Sequence, residues 1–140
     1  MYRTLLKSKI HRATVTRTNL HYVGSITIDE DLIEQADMLE NELVQIVNIN
    51  TGARFDTYVI PGQRGSGCME LNGAAARLAE PGDLIIVMSF GLYSETELKG
   101  QKATVVLVND HNALMNHIDS ESQHNQELRK QEDAGVGASR

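Results

Sequence analysis

Short runs rich in Val, Ile and aromatic residues, punctuated by turn chemistry, are what most constrain this chain. They are Leu43 to Ile49, Arg54 to Ile60, Leu84 to Phe90 and Thr104 to Val108. Side chains of this kind fit a pleated, half-buried surface, and the runs have the length of strands. Asn50-Thr51-Gly52 between the first two predicts a hairpin, Pro61-Gly62 ends the second, and Pro81-Gly82-Asp83 opens the third. Lys9 to Thr16 adds a run that mixes basic and β-branched residues. Two short helices are predicted. Asp29 to Met38 has an acidic first turn with Leu32, Ile33 and Ala36 on its apolar side, and Asn72 is placed to N-cap Gly73 to Ala79. Many short strands with two short helices predict a mainly β fold, a small barrel or sandwich.

Composition narrows the partners. At 140 residues, 41% hydrophobic and 23% charged, the chain suits one domain with one core. A formal net charge of −6, with thirteen scattered Lys and Arg residues, leaves no electrostatic footprint for nucleic acid. The single cysteine, Cys68, excludes an internal disulfide and a multi-cysteine zinc site, fits a reducing cytosol, and reads as a core thiol. The start, Met1 to Lys7, has no long apolar region, and the longest apolar stretch, Leu84 to Met88, is too short to span a bilayer. A cytoplasmic protein with no membrane partner is therefore expected. The five histidines show no metal-ligand spacing, so no metal is expected, and Arg64-Gly65-Ser66-Gly67 lacks the Lys-Ser/Thr ending of a phosphate loop and reads as a turn. Residues 119–140 are polar and nearly without apolar anchors, which predicts a domain over 1–118 and a disordered tail.

One dipeptide offers chemistry. A serine directly behind a glycine can attack the carbonyl before it, so the Gly24–Ser25 bond is a candidate for cutting by the chain itself. The same pair also makes an ordinary turn, and both readings stand on the dipeptide alone. Lys9, His11 and Tyr22 lie near it in sequence, and Arg54-Phe55-Asp56-Thr57-Tyr58 lies farther on. In a strand Arg54, Asp56 and Tyr58 share one face and Phe55, Thr57 and Val59 the other, with no sign of which face meets Ser25. Taken singly, Arg54 and Tyr58 fit a solvated strand face with a half-buried phenol. In Asn72-Gly73-Ala74-Ala75-Ala76 the minimal side chains expose the amides of a helix start, which suits either a carboxylate cradle or a capped helix packed closely through its alanines.

Five segments taken together carry a resemblance. Lys9 to Thr16, Leu20 to Asp29, Arg54 to Tyr58, Arg64 to Gly67 and Asn72 to Arg77 closely resemble the pyruvoyl-dependent aspartate 1-decarboxylases, in matching order and spacing from Met1 to about His117. The resemblance implies a small double-psi β-barrel with short helices. It implies a homotetramer that converts L-aspartate to β-alanine for pantothenate and coenzyme A synthesis. It further implies self-cleavage at Gly24–Ser25 into a β chain of residues 1–24 and an α chain of residues 25–140. Ser25 then becomes a covalently bound pyruvoyl group, with no metal and no pyridoxal phosphate.

The implied roles suit the residue types. Gly24, Ser25, Thr57 and Asn72 serve processing, with Thr57 as the donor to the oxyanion of the attacked carbonyl and Gly24 supplying freedom for an unusual turn geometry. Ser25, as pyruvoyl, forms a Schiff base with the substrate amine, and its amide carbonyl accepts the electrons released with CO₂. Tyr58 is the second catalytic residue, a phenol that returns a proton to the α-carbon. Arg54 matches the retained carboxylate with its planar fork. Lys9, His11, Tyr22, Thr57, Asn72 and the amides of Gly73, Ala74 and Ala75 complete the substrate-binding set. Gln63 stands where the family usually has an acidic residue and Phe90 where tyrosine is common. A maturation factor is a possible further partner. Two rival classes predict different fates for the bond: a non-catalytic barrel that binds a partner keeps it whole, and a self-processing hydrolase cuts it but keeps the serine.

Overall fold

The computed structural model describes residues 1–118 and 128–134. In chain order the strands and helices are β1 (Tyr2–Thr14), β2 (Arg17–Asn19), β3 (Ser25–Asp29), α1 (Glu30–Gln35), β4 (Leu43–Asn48), β5 (Arg54–Gly62), β6 (Met69–Asn72), β7 (Leu84–Ser94), α2 (Glu95–Leu98), β8 (Thr104–Val108) and β9 (Leu114–Ile118), with a 3-10 turn over Gly73–Leu78 before β7. The four apolar runs all become strands, and β8 has the expected bounds. Of the tail expected to be disordered, residues 119–127 and 135–140 lie outside the described residues, and residues 128–134 are helical. Among the described residues no helix is long and apolar enough to cross a membrane.

Strand order in the sheet is β2-β6-β3-β5-β4-β7-β1-β8-β9. β2 at one edge is the direct continuation of β1, which lies six places away, so the sheet must curl until the chain can pass from one to the other. Hydrogen bonds seal that passage: Thr16 N donates to Met69 O and Val15 N to Asp83 O, both at 2.9 Å. Pairing is mixed. β1 runs parallel to β8 and β3 parallel to β5, whereas β4 is antiparallel to both β5 and β7. The architecture is the small, mainly β, double-psi barrel with short helices.

Strict alternation fills it. Along β4, Val44, Ile46 and Asn48 are buried while Leu43 is exposed, the period-two pattern of a strand with one face on the core. Ile10, Ile26, Ile28, Ile46, Val59, Leu71, Ile85, Val87 and Val106 meet inside, each fully enclosed, and each contributes roughly 1.5–3 kcal/mol by leaving water. The predicted hairpin joins β4 to β5. Asn48 Oδ1 accepts from Asn50 N at 2.9 Å and Thr51 N at 3.2 Å, and Gly52 takes φ +79.

Both predicted helices are shorter than expected. Asp29 caps α1 by accepting from Asp31 N at 2.9 Å, and the helix stops at Gln35 because the chain turns left-handed at Asp37, φ 52. Ala36 and Met38 still reach the core. After Asn72 the chain forms a 3-10 turn instead of an α-helix, and the Asn72 side chain does not cap it. That amide is engaged elsewhere.

Candidate active site

Gly24-Ser25 is not a turn in this fold. Ser25 opens β3 and is completely buried, while Tyr22 and Val23 just before it are exposed, so the bond lies where a surface loop enters the barrel wall. Ser25 and Thr27 alternate with the core residues Ile26 and Ile28, which places both hydroxyls on the side of the strand away from the isoleucines. Antiparallel pairing with β6 sets Ser25 opposite Asn72. Asn72, 3% exposed, donates from its Nδ2 to Ser25 Oγ and to Thr27 Oγ1, each at 3.0 Å. One amide NH₂ carries two protons, and both are used here. Ser25 Oγ donates in turn to Val23 O at 3.4 Å.

The register of β3 against β5 answers the question of faces. Ile26 pairs with Val59 in parallel, so Ser25 lies level with Tyr58 and on the same side of the sheet. The Arg54–Asp56–Tyr58 face is therefore the one that meets Ser25. Gly24 precedes β3, so the pairing does not reach it, and the Thr57 side chain belongs by alternation to the Phe55–Val59 face. Thr57 and Tyr58 line a shallow depression of about 570 Å³ with Asn41, Leu43 and Asp56.

The other expected residues stand on several different elements. Arg54 is four residues along β5 from Tyr58, a distance of about 13 Å at the usual strand rise, and its Nη1 donates to Gln45 Oε1 at 2.8 Å. Lys9 is buried on β1, paired with Met88 and Val105. His11, level with Leu107, lines a separate cavity of about 250 Å³ with Arg12, Leu84, Val108, Met115 and Leu128. Ala74 is exposed at the start of the 3-10 turn, and Ala75 packs partly against the core.

Gly24 differs from expectation. Its φ lies outside the left-handed region, and a Cβ added there would meet only Asn72 O at 3.9 Å. The unusual geometry is at Gly73, φ +66, whose bare Cα lies against the Gly24 backbone. The Arg64–Gly67 segment is the predicted turn, and a residue distant in sequence holds it. Buried Asp29 accepts from Gly65 N at 3.1 Å and Gly67 N at 2.8 Å besides capping α1. The alternation Ser25-Ile26-Thr27-Ile28-Asp29 was the available sign of a strand with a polar face. Cys68, expected as a core thiol, is instead only half-buried and stands outside the core, and what burial it has pushes its thiol above the ordinary range.

The family model described as aspartate decarboxylase matches residues 1–115. The chain belongs to the aspartate decarboxylase family. An aspartate 1-decarboxylase of Acetivibrio thermocellus is 60% identical over 124 residues, 89% of this chain and 98% of the relative. Those of Heliobacterium modesticaldum and Bacillus pumilus are 59% and 56% identical over 115 and 121 residues, 82% and 86% of this chain and 87% and 95% of theirs. For an aspartate decarboxylase the buried Ser25–Asn72 pair is the geometry of interest, because it fixes a hydroxyl beside a glycyl carbonyl.

Proposed function

We propose that this protein decarboxylates L-aspartate to β-alanine and CO₂, supplying pantothenate and coenzyme A synthesis, after it has cut itself at Gly24–Ser25. The observation that carries the reading is the Asn72 Nδ2 to Ser25 Oγ hydrogen bond of 3.0 Å inside a wall from which water is excluded. A hydroxyl held in one rotamer next to the carbonyl gains effective concentration over a free one.

Processing needs no outside reagent except water. Ser25 Oγ bonds to the Gly24 carbonyl carbon, the C–N bond breaks, and the hydroxyl proton passes to the Ser25 nitrogen, leaving an ester. Loss of the Ser25 Hα with cleavage of Cβ–Oγ frees a carboxylate on Gly24 and leaves dehydroalanine, which water converts to a ketone with release of ammonia. Thr57 is assigned, by the family resemblance, as donor to the oxyanion. The products are a β chain of residues 1–24 and an α chain of residues 25–140. The surroundings fit the group so produced: buried Asn72 faces position 25 with a donor, and the bare Cα of Gly73 leaves room at the chain ends.

The pyruvoyl group supplies an electrophilic ketone for the substrate amine and an amide carbonyl that takes up the electrons left behind by CO₂. The remaining tasks belong to side chains. Tyr58, level with position 25 on the same face, holds the proton that is returned to the α-carbon. Arg54 binds the carboxylate that is retained, since tight binding of the departing one would stabilise the ground state against its loss. Lys9, His11, Tyr22, Thr57, Asn72 and the amides of Gly73, Ala74 and Ala75 complete the pocket. The separation of Arg54 from Tyr58 along β5 is bridged by assembly, with Arg54 reaching the substrate of a neighbouring copy in a homotetramer. The exposed Leu43, Leu92, Phe90 and Tyr2 support association of copies. A maturation factor is an additional partner for the first cut, and the single cysteine supports a cytoplasmic setting.

Intact mass under denaturing conditions tests this. The expected result is two fragments split at Gly24–Ser25, the larger lighter by one ammonia than a serine-started chain, in a preparation that forms β-alanine from aspartate. A serine-started fragment, or a chain that stays whole on long incubation with added cell extract, overturns it.

A further inference from the structure

We infer that Gly73 is a positioning residue for the self-cleavage, and that the glycine required at this junction is Gly73 more than Gly24. The inference rests on the proposed cleavage and assigns it a residue whose role in the substrate cradle is separate. A Cβ on residue 73 would come within 2.6 Å of Gly24 Cα, 2.8 Å of Gly24 N and 3.1 Å of Tyr22 O. All three are backbone atoms of the segment that carries the attacked carbonyl, so no flexible side-chain end can swing aside. Ordinary carbon contacts begin near 3.5 Å, so an alanine here must push that segment back by about 1 Å.

The other half of the bond cannot follow. Ser25 is pinned by β3 pairing to both β5 and β6 and by Asn72 on its hydroxyl. Gly73 follows Asn72 directly, so one dipeptide sets both partners: Asn72 holds the nucleophile and the bare Cα of Gly73 lets the electrophile's backbone approach it. Displacement of one against the other by about 1 Å is expected to slow the acyl shift on the order of 100-fold. Gly24, by contrast, has open space for a methyl group and no left-handed φ.

The test compares Gly73→Ala and Gly73→Asn with Gly52→Ala. Asn tolerates the left-handed backbone that Ala resists, yet brings the same Cβ to the Gly24 backbone. Gly52, φ +79 with nothing within 4 Å of an added Cβ, controls for backbone strain alone. Each chain is purified as precursor, its folded fraction measured by near-UV circular dichroism, and its cleavage followed by intact mass. Hydroxylamine, which cleaves the ester, reads the acyl shift itself. Both Gly73 variants should fold, stall at least tenfold and yield less hydroxylamine-sensitive ester, while Gly52→Ala cuts at the parental rate. Folded Gly73→Asn cutting within twofold of the parent overturns the assignment, and so does loss of the fold in both Gly73 variants. A parental chain that never cuts refutes the underlying reading instead, and is seen separately in the same experiment.

Discussion

Replacing Asn72 by alanine isolates the contact on which the proposed processing depends. The side chain is buried, and its Nδ2 supplies the 3.0 Å donor to both Ser25 Oγ and Thr27 Oγ1. Without it Ser25 keeps only the Val23 O contact at 3.4 Å, longer than an O–H···O bond of ordinary strength. Release into three staggered rotamers dilutes the attacking geometry about threefold, and loss of close placement adds a further factor, so cleavage should slow by roughly 10- to 100-fold. Stability should fall less dramatically. Two hydroxyls each lose a bond worth about 1 kcal/mol net, or ~2 kcal/mol together, against the ~5–15 kcal/mol that holds a domain of this kind folded. In a Ser25→Ala background only the Thr27 bond remains to be lost, so the cost of Asn72→Ala should drop to ~1 kcal/mol, a coupling of about 1 kcal/mol in a double-mutant cycle. The rate is read by intact mass on folded precursor, and the cycle by urea denaturation of uncut chains. Parental cleavage by folded Asn72→Ala, or no coupling to Ser25→Ala, would refute the reasoning.

Four further outcomes are expected. Tyr58→Phe should still process, because Tyr58 is not among the residues assigned to the cut, yet form β-alanine on the order of 100-fold more slowly; a parental turnover rate excludes it as the proton donor. Mature Arg54→Ala should lose discrimination against amino acids that lack the side-chain carboxylate, and unchanged relative kcat/KM values would remove Arg54 from that task. Asp29→Asn keeps an acceptor for Asp31 N and Gly65 N but turns an NH₂ toward buried Gly67 N, which should cost roughly 1–3 kcal/mol in urea denaturation; an unchanged midpoint shows that the loop is held by other contacts. Asp83 accepts from Asn48 Nδ2 and Glu80 N, each at 2.9 Å, and the Asn48 bond first, then the backbone bond, hold its carboxyl below the usual range. A folded value below the unfolded one gives stability that is present above the unfolded carboxylate range and is lost as pH falls through the folded value. Melting curves from pH 5 down to pH 2 should therefore show a shallower acid decline for Asp83→Asn than for the parent, and parallel declines would exclude the linkage.

Local chemistry made much of the fold legible and left its closure hidden. Leu84 to Phe90 reads as a strand because its neighbours in sequence decide it, and Asn50-Thr51-Gly52 reads as a hairpin because the two strands it joins are adjacent. The short strands β2, β3 and β6 carry no comparable run of Val, Ile and aromatics. They exist because Arg17 to Asn19 pairs with Glu70 to Asn72 and Ser25 to Ile28 with Met69 to Asn72, across more than forty residues. The helix predicted after Asn72 forms as an uncapped 3-10 turn for the same reason. The next four residues favour a local cap, whereas the amide bonds a serine 47 residues away.

The same physics makes the residue types of the candidate site legible in sequence and its geometry not. Types are local, and Ser25, Asn72 and Tyr58 advertise nucleophile, amide donor and acid wherever they lie. Steric permission is not local. That residue 73 must lack a Cβ is visible only when its left-handed Cα is found against the backbone of Gly24, and by sequence alone the glycine next to the reactive serine takes the credit. A strand register that brings Asn72 opposite Ser25 necessarily carries the next residue into the entering loop. Orientation of the hydroxyl and clearance for the carbonyl are thus two results of one pairing, and a change in that register would remove both together.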